Sequence, residues 1–200
     1  MRRITLGITR LAVAASVGMA TLSIAALPAG ARDVPVRDRL LNKLSMGTAW
    51  KTAKVTTLAT LDYAATCYAH PLSAAKGATT ASIKFVQQGN LPELVEQVLV
   101  PKGSLNAAYT KVTQALGKCP PTETIGDGTT ATFSSLSLPS IGTNTAYQSN
   151  ITSSDVNESQ AIIVAKVGND ILDLGYANSG PLQLTTVENY ALIAISRLGG

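Results

Sequence analysis

The stretch from Ala161 to Ala177 constrains the fold more than any other part of this chain. Ala161–Val167 is a continuous apolar run broken only by Lys166, and Ile171–Ala177 is a partner run of the same length. Between them, Gly168-Asn169-Asp170 has the composition of a tight hairpin turn, where a backbone of positive φ is needed and Gly or Asn accepts it most easily. The segment predicts two long antiparallel strands, and a fold that must build a sheet around them.

A second hairpin is written into residues 79–100. Ala81, Ile83 and Phe85 alternate with Ser82, Lys84 and Val86, which is the two-residue period of a strand. Gln88-Gly89-Asn90 supplies a turn, Glu93–Val100 a partner strand, and Pro101-Lys102-Gly103 an exit. Ser104 then predicts a helix cap, with Leu105, Ala108, Tyr109, Val112 and Leu116 on one stripe and Gly117 at the end. The Thr- and Ser-rich section beyond predicts strands at 129–138 and 145–152, with turns at Gly126-Asp127-Gly128 and at Asn157-Glu158. Asn178-Ser179-Gly180-Pro181 interrupts the last strand. Thr185 with Glu188 three residues on reads as a capping box, opening a helix whose face is Val187, Tyr190, Ala191, Ala194 and Leu198.

Near the start, Leu40, Leu41 and Leu44 predict a short helix at about 36–45, stopped by Gly47. Ala49–Leu61 predicts a strand and a turn leading to Cys67. Strands in adjacent hairpins with helices inserted between them imply an α+β fold: a twisted antiparallel sheet with helices packed against it. The regular strand–helix alternation of a doubly wound parallel sheet is missing.

Residues 1–31 have the pattern of a signal peptide. Arg2, Arg3 and Arg10 form a basic n-region, Leu11–Leu27 is apolar, Pro28 breaks the run, and Ala29-Gly30-Ala31 offers a small–x–small cleavage site. Cleavage near Ala31-Arg32 predicts a secreted, extracytoplasmic protein. It leaves one globular domain at 32–200, with no transmembrane segment after the cut and no cysteine there to carry a lipid. The leader also holds three of the 16 basic residues and none of the 12 acidic ones. The mature chain is then nearly neutral, and the basic balance that would suggest nucleic acid disappears. Charged residues are 14% of the chain, against roughly 25% in ordinary soluble domains. Thr and Ser take their place, which suits strands with an uncharged polar surface.

Cys67 and Cys119 are the only cysteines, and an oxidising compartment predicts that they pair. Closing the long loop between them stabilises by about 4 kcal/mol in the chain-entropy model. Other constellations are weak. His70 is the single histidine, which excludes multi-histidine metal sites, and it reads as a solvent residue beside Pro71. No Gly-x-Ser-x-Gly elbow occurs. Asp127 and Asp170 are explained by turn chemistry, and Asp170 with Asp173 is too sparse for a calcium loop. Asn150 and Asn157 open chance glycosylation sequons. Trp50, Tyr68, Tyr147 and Tyr176 are candidates to line a groove. No catalytic residue, metal ligand or cofactor site is predicted.

The order of segments nevertheless has a likeness. Leu40-Leu41 is followed by Gly47 and Trp50, then by the Cys67 segment, a hairpin, and a helix ending Ala115-Leu116-Gly117-Lys118-Cys119. Leu136-Ser137-Leu138-Pro139 with Gly142 comes next, then Val167-Gly168-Asn169, and Leu174-Gly175-Tyr176 before the closing helix. Over residues 36–198 this order resembles the actinobacterial PknH-like extracellular sensor domain. The resemblance implies a twisted sheet with helices against it, forming a groove for an extracytoplasmic ligand. Kinase-linked members carry two disulfides; this chain has cysteines for one and lacks the kinase.

Together these features predict a secreted, non-enzymatic sensor-type binding module. Its partner would be a small molecule, an envelope component or a protein. A secreted hydrolase and a surface protein–protein interaction module without a small ligand are the rivals.

Overall fold

The computed structural model describes residues 34–53, 61, 67–75, 79–89, 91–125 and 128–199. The expected leader over 1–31, most of the strand and turn expected over 49–61, and Asp127 lie outside the described residues. In chain order the elements are α1 (Val36–Arg39), α2 (Lys43–Met46), β1 (Lys51–Thr52), β2 (Thr79–Val86), β3 (Glu93–Val100), α3 (Leu105–Leu116) and β4 (Thr122–Thr124). They continue with β5 (Thr130–Leu136), β6 (Asn144–Thr152), β7 (Asn157–Val167), β8 (Asp170–Ser179) and α4 (Leu184–Arg197). Short 3-10 turns at Pro71–Ala74 and Pro139–Ile141 join them.

All eight strands form one antiparallel sheet, in the order β1-β2-β3-β8-β7-β6-β5-β4. The expected α+β architecture is therefore the observed one. The β7–β8 hairpin sits at its centre, with Gly168 at φ +57° in the turn. β8 closes on β3 from the earlier hairpin, Gln97 opposite Asp173 and Val95 opposite Gly175. That pairing joins two hairpin blocks that local sequence leaves independent.

Strand alternation gives the sheet two inner faces. On one, Phe85, Leu94, Val98, Ile163, Leu172 and Leu174 pack against Val187, Ala191, Ala194 and Leu198 of α4 and against Leu40, Leu41, Met46 and Trp50. On the other, Leu99, Ile162, Val164 and Ile171 meet Val112 and Leu116 of α3, together with Tyr68 and Leu72. The Cys67–Cys119 disulfide, Cα atoms 5.7 Å apart, ties the loop on this second face to the residues just beyond α3.

Several local expectations are corrected. The helix foreseen at 36–45 is two single turns. Leu40 is extended, and Asn42 caps the second turn by accepting from the Ser45 amide at 3.0 Å, while Ser45 Oγ accepts from the Asn42 amide at 3.0 Å. A side chain offering the backbone this alternative ends one helix and starts another. The turn foreseen at Asn157-Glu158 lies earlier, where Ser153 Oγ accepts from the amides of Asp155 and Val156. Asn157 and Glu158 are already paired with Thr152 and Ile151. Likewise β8 continues through Asn178 and Ser179, opposite Ser159 and Glu158. The Thr185–Glu188 capping box does not form. The helix begins one residue before Thr185, with Gln183 at the cap, and Glu188 Oε1 accepts instead from the Ser140 hydroxyl at 2.8 Å.

Candidate functional site

The two faces treat their polar residues differently. On the α4 face, the buried carboxylates among the described residues, Glu96 and Asp170, each have a partner. Glu96 accepts from the Leu41 amide at 2.5 Å, and its pKa is raised to about 7 by burial, against the pull of that amide and of Arg197. Asp170 is paired with Arg39, although burial still lifts its pKa. Arg197 Nε donates to the Leu40 carbonyl at 2.7 Å. These contacts fasten the Val36–Leu41 segment across the sheet and α4.

The second face carries a buried polar band across its strands. Register places Ser82, Gln97 and Asp173 in one row of β2, β3 and β8. Nearby, Lys84 Nζ meets Glu93 Oε2 at 2.8 Å, and Gln160 Nε2 donates to Glu158 Oε1 at 2.7 Å. Asp173 stands apart in this band. Its side chain is buried, with the residue 6% exposed, and no hydrogen-bond donor or cation meets its carboxyl among the described residues. Burial alone pushes its pKa up to about 8, because transfer out of water penalises the charged form.

Asp173 lines a recess of about 20 Å³. The strands contribute Val95, Gln97, Ile162, Asp173 and Gly175, and the loop above contributes Leu61, Tyr68 and Ala69. Gly175 leaves room there: a Cβ at this position would stand 3.0 Å from Leu61 Cγ, and the Leu61 side chain would have to shift by a few tenths of an ångström. Tyr68 leads on to an aromatic cluster, stacked on Phe133 with centroids 4.0 Å apart and edge-on to Tyr147 at 5.3 Å. Its phenol pKa is raised by burial and by the neighbouring Tyr147 and Glu123. Tyr147 in turn borders a wider open hollow of about 440 Å³, formed by Ser135–Pro139 and Asn144–Tyr147. Among the described residues that hollow carries hydroxyls, backbone groups and the Asn144 carboxamide, but no carboxylate or amine.

The structure divides the aromatic residues singled out in sequence. Tyr68 and Tyr147 come together on the recess face. Trp50 and Tyr176 belong to the opposite core around Tyr190, with Trp50 Nε1 donating to the Tyr190 hydroxyl at 3.2 Å. His70 is exposed at the head of the Pro71–Ala74 turn, remote in role from the bridged Cys67. Asp170 is no simple turn residue; it begins β8 and anchors Arg39. Asp173 is the functional candidate that sequence reasoning passed over. The available signal was a carboxylate between Leu172 and Leu174 inside an apolar strand. Among the described residues, no cluster of three or more His, Cys, Asp or Glu could hold a metal ion, and no helix is long and apolar enough to cross a membrane.

No protein-family model matches the chain, and no curated protein resembles it in sequence. Its fold is similar to a solved structure, the extracellular domain of PknH from Mycobacterium tuberculosis. The TM-score is 0.59 at 12% identity, and the match covers 80% of this chain and 93% of that one. The likeness is one of fold.

Proposed function

We propose that this chain is a secreted, non-enzymatic binding module of sensor type, which holds an extracytoplasmic ligand in the recess over Asp173. In this reading residues 1–31 are the leader and 32–200 the exported domain. One observation carries it: a buried carboxyl with no partner among the described residues, set in a small recess with mostly apolar described walls beside the disulfide-anchored Cys67 segment. Such a group costs folding free energy, and costs of this kind concentrate at functional sites. The fold shared with the PknH extracellular domain supports the same reading, since that domain is the external part of its protein.

The test is a thermal-shift screen of the purified protein against envelope lipids, wall fragments and small metabolites. A saturable upward shift is expected, because a ligand of the native state stabilises it by mass action, about 2.7 kcal/mol at a hundred times its Kd. A flat screen would turn the reading down. Turnover of a substrate, abolished by a single substitution, would overturn the non-enzymatic part.

A surface for a protein partner is the second reading. Leu184 and Leu192, two turns apart on α4, are 45% and 41% exposed. A partner whose binding is lost on Leu192→Lys, together with a flat ligand screen, would favour it.

A further inference from the structure

We propose that the recess takes a primary ammonium group, seated against the Asp173 carboxylate, with its apolar stem leading outward past the apolar side chains of the rim. The inference rests on the binding reading above and names the ligand class.

Three properties of the recess lead to it. The first is size. A recess of about 20 Å³ is little more than a single water needs, roughly 10–15 Å³ on the same measure. A terminal –NH3+ has that bulk, whereas a planar guanidinium or a quaternary ammonium is too wide. The second is charge. Lys84 is engaged by Glu93 and Arg39 by Asp170 on the opposite face. Asp173 is met by no cation of its own among the described residues, and an incoming cation would supply one. The third is lining. Apart from Asp173, Gln97 and Tyr68, the lining side chains among the described residues are apolar, so they suit the start of a hydrocarbon stem. The carboxamide of Gln97, opposite Asp173 in register, adds an acceptor type that an ammonium can use.

The binding step balances simply. Below the raised pKa of Asp173 the group is a neutral acid. On binding R–NH3+, its O–H bond breaks, the proton leaves to solvent, and the carboxylate accepts N–H hydrogen bonds from the ammonium. The groups facing it are Gln97 from β3, Gly175 from its own strand, Ile162 and Val164 from β7, and Tyr68 from the loop. Among the described residues none of these titrates between pH 6 and 8, so the proposed proton donor is Asp173.

The experiment uses n-propylammonium chloride as probe, with acetamide, guanidinium and tetramethylammonium as comparators at matched ionic strength. Thermal shift and calorimetric titration are read on the purified protein and on Asp173→Asn. Propylammonium is expected to give a saturable stabilisation. Its affinity should rise about tenfold per pH unit from 6 toward 8, the dependence of a one-proton release. Guanidinium and tetramethylammonium should give none, and D173N should lose the propylammonium effect at least tenfold. Titration of the wild type in two buffers of different ionisation enthalpy should count close to one proton released per amine, which tests the step without any variant. Acetamide binding as tightly as propylammonium, or D173N binding the amine unchanged, overturns the ammonium inference and leaves a binding module of other specificity. A flat response to every amine while the broad ligand screen gives a hit also overturns it. Flat results in both experiments overturn the binding reading as well.

Discussion

The two faces of the sheet solve the same problem by different means. The α4 face is a filled apolar layer. Phe85, Leu94, Ile163, Leu172 and Leu174 are fully buried beneath α4 and the N-terminal segment, and the acids among them are matched by Arg39 or by a backbone amide. The α3 face mixes Leu99, Ile162 and Ile171 with Gln97, Gln160, Glu158, Ser149 and Asp173. Its covering loop is bonded covalently to the end of α3. Where apolar burial is interrupted by polar groups, it holds a loop less firmly, and a cross-link compensates by restricting the unfolded chain. One face is built for stability; the other keeps polar atoms in place at some cost to it.

Four expectations test that division. Leu174→Ala, at the centre of the filled face, should lower stability by about 2–5 kcal/mol through lost burial and a residual cavity, measured by urea denaturation. A loss well under 1 kcal/mol would mean that this face is not the main source of stability. Next, reducing the Cys67–Cys119 bridge should cost up to about 4 kcal/mol and lower the thermal midpoint by several degrees. Hydrogen exchange should then rise over 67–75 and the end of α3 before it rises over α4. An even rise across both faces would remove the distinction between them.

The third expectation concerns pH. Glu96 and Asp173 have folded-state pKa values of about 7 and about 8, above those of an unfolded carboxylate. Between roughly pH 4 and these values the native state binds more protons than the unfolded state, so stability is highest on the acid side and falls as pH rises toward 8. The Glu96 part of the fall is about 3 kcal/mol. Midpoints measured from pH 5 to 8.5 should decline, and D173N should flatten the alkaline end while leaving the Glu96 part. Midpoints rising over that range would contradict the assigned burial. The smallest effect is that of Asn42→Ala, which removes the cap of α2 and should cost about 1 kcal/mol without altering the recess face. A change in ligand response from this substitution would show the faces to be coupled.

Much of the fold was legible because its signals are local. The Gly168-Asn169-Asp170 turn, the alternation over 81–86, the Ser104 cap and the α3 and α4 stripes each depend on residues within a turn or two. The disulfide followed from two cysteines and from an N-terminal pattern read as a leader into an oxidising compartment. Local reading failed where one signal competed with another. Asn42 and Ser45 capped a second helix inside an apparently continuous apolar stripe, and Ser153 drew the β6–β7 turn away from Asn157-Glu158.

What the sequence determined by itself was the class of structure: antiparallel hairpins, two amphipathic helices and one bridge, since hydrophobic period and turn chemistry act over short distances. Only the tertiary structure decided that β3 and β8 pair, because nothing local records which hairpin edges meet. That pairing sets Gln97 beside Asp173 and Val95 beside Gly175, which Leu61 approaches from outside the sheet. In sequence Asp173 is one carboxylate in an apolar strand. It becomes a buried acid without a counter-charge among the described residues only when the neighbouring strands and the Cys67 segment have removed its water, and desolvation is a property of everything packed around a group.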